Sequence, residues 1–127
     1  MKLAVFAALI AIALPAPVLA SDWVEIGVSA ADGSRYYVDR QSIRLMPNGY
    51  KRAWNKRDFS KADIHGDTGV TGYDDYDCIE KRFRNLSFTF FNGQKPNPSS
   101  NKVSEWVYVA PDSIAEALLN FVCYGKL

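Results

Sequence analysis

Few side chains in this sequence have the chemistry for catalysis: one histidine, His65, two cysteines, Cys78 and Cys123, and a run of acids and bases between positions 63 and 84. His65 could act as a general base, and Asp63 and Asp67 lie close enough in the chain to orient it. They share their stretch with Gly66, Gly69 and Gly72, however, and a loop of that kind fixes no geometry between nucleophile, base and acid. A solvated polar loop is the simpler expectation, so no catalytic residue is assigned. A cysteine nucleophile is excluded once the two thiols are joined.

The acids of the same region, Asp74, Asp75, Asp77 and Glu80 with Asp63 and Asp67, are oxygen ligands of the kind calcium takes. Their spacing does not match an EF-hand loop, which needs alternating ligands, a central glycine and a terminal glutamate. Neither a metal site nor a cofactor is assigned, and the acids are expected to be solubilising charges of a loop or an edge strand. Lys81, Arg82 and Arg84 form the tightest basic cluster, and Lys51, Arg52, Lys56 and Arg57 a second. With Tyr73 and Tyr76 beside it, the first cluster is a candidate surface for an acidic protein or an anionic polysaccharide. The plainer alternative is that these bases pair with the neighbouring acids. Trp23, Trp54 and Trp106 are expected as core and hairpin anchors rather than ligand platforms.

What must position these residues is an exported domain. Met1 and Lys2 precede an apolar run from Leu3 to Leu14, Pro15 and Pro17 break it, and Val18-Leu19-Ala20 suits a signal peptidase. Residues 1–20 are therefore expected to be a cleavable signal peptide, cut between Ala20 and Ser21, with an uncleaved anchor as the alternative. Residues 21–127 then form a single domain, periplasmic or secreted, with no further apolar run of membrane-spanning length. Loss of Lys2 takes one base from the 15 and leaves them matched to the 14 acids, a balance that argues against nucleic acid as partner. An exported compartment lets disulfides persist, and two cysteines permit one pairing, Cys78 with Cys123. Two buried free thiols or a zinc contribution are the alternatives, but there is neither a CxxC nor a Cys/His cluster.

Along the domain, 22–39 reads as a hairpin turning at Asp32-Gly33, followed by a polar interruption at 39–42 that suits one helical turn. Pro47-Asn48-Gly49 is a turn before a strand at 50–58, where Tyr50, Arg52, Trp54 and Lys56 share a mixed face that does not reveal which side is buried. Residues 59–72 read as a loop, and 73–80 and 82–91 as strands. In the second, Arg84, Leu86, Phe88 and Phe90 alternate with Phe83, Asn85, Ser87, Thr89 and Phe91. Pro96 to Asn101 reads as loop and 103–109 as strand. Ser113-Ile114-Ala115-Glu116 fits a capping box, after which Ala115, Leu118, Leu119, Val122 and Cys123 fall on one helical stripe. The expected fold is α+β: an antiparallel sheet of about six strands, with a C-terminal helix packed on one face and tied to it by the disulfide.

Trp23, Tyr37-Val38-Asp39 with Ser42-Ile43, Trp54, Asp77-Cys78 with Arg82, Phe91-Asn92-Gly93, Trp106 with Val109, Pro111, Ser113 and Cys123 together span nearly the whole domain. Their order and spacing resemble the surface-adhesin protein E family of bacterial envelope proteins. The resemblance implies a bent antiparallel sheet with a C-terminal helix held to it by a disulfide. It also implies binding of host extracellular-matrix and serum proteins, which the founding members carry out from a lipid anchor on the outer surface. No cysteine lies near the expected cleavage point, so no lipid anchor is expected here. The expected function is a non-enzymatic binding module of the envelope, with a protein or polysaccharide partner. A small secreted inhibitor of a hydrolase, such as a lysozyme or protease, acting through the 59–72 loop, is the alternative.

Overall fold

Turn residues set the strand ends. Gly33 (φ 74°) closes the first hairpin, between β1 (Trp23–Val28) and β2 (Arg35–Asp39). Asp39 then caps a single 3-10 turn, Arg40–Ser42, accepting from the Gln41 amide. These observations come from a computed structural model, which describes residues 20–127. Apart from Ala20, the expected signal segment lies outside the described residues.

Beyond the turn come β3 (Arg44–Leu45), β4 (Lys51–Asp58), β5 (Gly69–Asp77), β6 (Arg82–Asn92), β7 (Lys95–Ser100), β8 (Val107–Tyr108) and the helix α1 (Ile114–Tyr124). The sheet is antiparallel, with β1-β2-β4-β5-β6-β7 as its path, while β3 pairs β4 and β8 pairs β6. Among the described residues it thus has eight strands rather than about six, because two two-residue strands flank the six longer ones. β7 lies where a loop was expected: Pro96 and Pro98 lack a donor, and an outermost strand tolerates that loss. The strand expected over 103–109 shrinks to Val107–Tyr108, and β5 begins at Gly69, which shortens the preceding loop to 59–68.

One face of the sheet carries the core. Val38, Ala53 and Tyr76 are buried with Leu119, Phe121, Val122 and Cys123 of α1. The helix forms as its sequence dictates. The Ser113 hydroxyl accepts from the Glu116 amide at 3.2 Å, the Glu116 carboxylate accepts from the Asp112 amide, and Gly125 ends the helix in a left-handed conformation. The expected stripe packs inward, and Phe121 widens it. The disulfide joins Cys78 to Cys123 across a Cα separation of 5.8 Å, but Cys78 stands in the turn after β5 rather than in the strand. Lys51 Nζ donates to the Cys123 carbonyl (2.8 Å) and the Tyr124 hydroxyl to the Cys78 carbonyl (3.2 Å), so hydrogen bonds reinforce the same junction.

Candidate functional site

The face turned away from α1 is where rings and cations meet. Strand alternation puts residues of one parity under the helix, namely Val38, Ala53, Asp74 and Tyr76, and the other parity on the opposite face. In β4 the buried parity offers only Ala53 as an apolar residue, while Arg52, Trp54 and Lys56 point away from the helix. A bulge extends this face into β6. Tyr73 pairs with Ser87 but Asp74 with Asn85, which leaves Leu86 unmatched and shifts the alternation there. Arg84 consequently lies opposite Asp75, on the Tyr73 side, and does not share a face with Phe88 as uninterrupted alternation had implied.

Three groups make up the face. Lys56 Nζ sits 4.8 Å from the ring centre of Trp23 and 4.9 Å from that of Tyr37. Trp54 and Tyr73, directly paired across strands, stack at 4.4 Å with an interplanar angle of 17°, and Arg44 Nη2 donates to the Tyr73 hydroxyl at 2.7 Å. Farther along, Arg52 and Arg84 both donate to Asp75, at distances from 2.6 to 3.2 Å, and the carboxylate beneath them is wholly buried. Arg82 and Arg84 lie over Trp106 at 4.5 and 4.6 Å, and Tyr50 meets that indole edge-on at 4.9 Å.

The charges of this face do not cancel. Asp75 offsets one of its two guanidiniums, Asp77 offsets Arg82, and Lys56 and Arg44 have no ion-pair partner among the described residues. The hydrogen bond to Asp75 raises the Arg52 pKa, and that to Asp77 raises the Arg82 pKa. Burial works against the Asp77 charge, yet the Glu80 amide, Arg82 and the Ile79 amide together hold its pKa below the ordinary value. Arg52 and Arg82 are thus held in their charged form, and with more bases than acids on it the face carries a net positive charge.

Of the residues singled out from the sequence, Tyr73, Arg82 and Arg84 come together here, and Lys81 is exposed on the adjoining turn in a left-handed conformation (φ 56°). Tyr76 does not join them: it is 2% exposed and packs in the core under α1. Of the acids expected as solvated charges, Glu80 is exposed on the turn, but Asp74, Asp75 and Asp77 are buried in an internal strand, and Asp74 faces the opposite side from Asp75. The tryptophans are not core anchors either. None joins the core cluster, and Trp54 is 38% exposed. Sequence reasoning missed Arg44, set Lys56 in a second basic cluster apart from the first and gave Trp54 and Trp106 anchoring roles, although the alternation of Arg52, Trp54 and Lys56 was a signal once that face could be oriented. His65 is exposed, and its backbone amide donates to Asp63, whose carboxylate also accepts from the Asp67 amide. No helix among the described residues is long and apolar enough to cross a membrane.

Comparison with known proteins agrees with this architecture. The family profile described as Surface-adhesin protein E matches residues 23–124. Solved structures of Haemophilus influenzae protein E share the fold. Crystal form II has a TM-score of 0.65 at 17% identity, covering 90% of this chain and 98% of that one. The selenomethionine form has a TM-score of 0.59 at 16% identity, covering 90% and 96%. No curated protein matches the chain.

Proposed function

Because this chain belongs to the surface-adhesin protein E family, we propose that it is a non-enzymatic exported module, periplasmic or released, that binds an acidic surface of a host or envelope protein. One observation carries this reading: the sheet face opposite α1 is a positive layer of Trp, Tyr and Arg side chains. Those three residue types are over-represented among side chains that dominate binding energy at interfaces. Lys56, and Lys81 on the neighbouring turn, bring charge not committed to an internal pair, and such charge steers an acidic partner. Arg82 and Arg84 already hold Asp77 and Asp75, so they support the rings as well as contributing charge.

Surface plasmon resonance against immobilised extracellular-matrix and envelope proteins tests the proposal. A Lys56→Glu/Lys81→Glu variant should bind about tenfold more weakly or worse while still unfolding in one cooperative transition, its midpoint lowered only by the lost Lys56 contacts with Trp23 and Tyr37. Undiminished binding by that variant would remove the face from the function. A second reading, inhibition of a hydrolase, has one observation in its favour: Ile64 is 95% exposed on a loop braced by Asp63. A panel of lysozymes and proteases inhibited by the protein, but not by its Ile64→Asp variant, would support that reading over the first.

A further inference from the structure

The 3-10 turn Arg40–Ser42 and β3 run alongside β4, and there Gln41, Ser42 and Arg44 join the stacked Trp54 and Tyr73 in lining an open groove of about 330 Å³. This volume lies at the lower end of the range for small-ligand sites, roughly 300–1,000 Å³. Ser42 is occupied in building the groove: its hydroxyl donates to the Asp39 carbonyl and accepts from the Trp54 amide. The Trp54 indole, backed by Tyr73, forms an aromatic wall, and stacking makes such a wall rigid. Gln41 and Arg44 are exposed at its edge. Arg44 spends one donor on the Tyr73 hydroxyl and keeps the rest of its guanidinium for an acceptor, with no carboxylate paired to it among the described residues.

We propose that this groove is a subsite for a hexuronate residue within an acidic polysaccharide; the proposal rests on the binding role inferred above and names a second class of ligand for the same face. A pyranose ring has one face of C–H bonds, which packs on an aromatic wall, and an edge of hydroxyls, which suits the Gln41 amide. The carboxylate of a hexuronate supplies the planar, two-oxygen acceptor that a guanidinium pairs with best. A neutral hexose would leave Arg44 unanswered. Lys56 follows Trp54 at the next alternate position of β4, about 6.6 Å along, and has no ion-pair partner among the described residues, so a chain of acidic sugars laid along the strand meets a further cation beyond the groove.

Titration calorimetry and tryptophan fluorescence with oligosaccharides of alternating hexuronate and N-acetylhexosamine test this, with oligosaccharides of N-acetylhexosamine alone for comparison. The expected result is saturable binding of the acidic series, weakened about tenfold or more in Trp54→Ala and in Arg44→Ala. A Lys126→Ala control, on the C-terminal tail, should bind as the parent does. Should Trp54→Ala fail to fold, Gln41→Ala and Arg44→Ala, both at exposed positions, decide the matter. Absence of saturable binding, equal affinity for the neutral series, or an equal loss in Lys126→Ala would each overturn the proposal. Retention by matrix or envelope proteins without hexuronate binding would sink this inference and leave the protein-binding role standing. Hexuronate binding without any protein partner would do the reverse.

Discussion

Asp74 lies in β5 under α1, 8% exposed, and accepts from Asn55 Nδ2 and Asn85 Nδ2, each at 2.7 Å. Burial is the largest influence on it and outweighs both amides, and with Asp75 nearby its pKa rises from 3.8 to about 6. Burial also pushes the Tyr76 hydroxyl, within reach of Asn55, well above its usual value. A carboxyl whose pKa is higher folded than unfolded holds its proton more tightly in the folded state. Its contribution is full below about pH 4 and is lost as pH rises through about 6, by roughly 3 kcal/mol. Asp32 and Asp77, with lowered values, act in the opposite sense, stabilising above the ordinary carboxylate pKa and losing that as pH falls below it. Urea midpoints should therefore decline between pH 4 and 7, and Asp74→Asn should flatten that decline; an unaltered slope in the variant would point to another group. None of this was visible in the sequence, where Asp74, Asp75 and Asp77 look alike. The pleat sends Asp74 to one face and Asp75 to the other.

At the scale of elements, close approach explains what composition misread. Gly69 looked like loop glycine, yet it opens β5 between Asp58 and Phe91. A Cβ there would lie 2.8 Å from the Arg57 carbonyl oxygen, which is backbone and cannot swing aside. Gly69→Ala should accordingly cost about 1–3 kcal/mol in denaturant unfolding. Gly93→Ala, whose Cβ would meet nothing within 4 Å, carries the left-handed backbone cost instead (φ 61°) and so separates crowding from conformational strain. Helix α1 was legible because its signals are local: a serine cap with a glutamate three residues on, and a stripe at helical spacing. The two-residue strands, the proline-bearing β7 and the Leu86 bulge were not, because each depends on what a neighbouring strand offers.

At the scale of the whole molecule, one helix covers one side of the sheet, and the clamp holding it there is the Cys78–Cys123 bond. Joining residues 45 apart restricts the unfolded chain, for which the loop-entropy account gives about 4 kcal/mol and practice often less. Cys78→Ser/Cys123→Ser should lower stability by about 2–4 kcal/mol in guanidinium unfolding, with a similar loss on reducing the parent. A change below 0.5 kcal/mol would mean that core packing and the Lys51 and Tyr124 hydrogen bonds hold α1 unaided. Since the clamp acts on the helix side, reduction should loosen α1 before it disturbs the aromatic face, which hydrogen exchange would resolve.

The sequence by itself determined the parts that rest on short-range rules. These were the first hairpin, the single helical turn, the capped C-terminal helix with its buried stripe, the disulfide partners and, through residue spacing, the family. Tertiary structure alone decided which side of β4 faces water. Its buried side is built around one alanine, whereas the larger, more apolar-looking tryptophan lies on the open side. Hydrophobicity therefore could not orient the strand, and only the placement of α1 over Ala53, with a one-residue bulge turning Arg84 toward Tyr73, assembled the rings and cations into one surface.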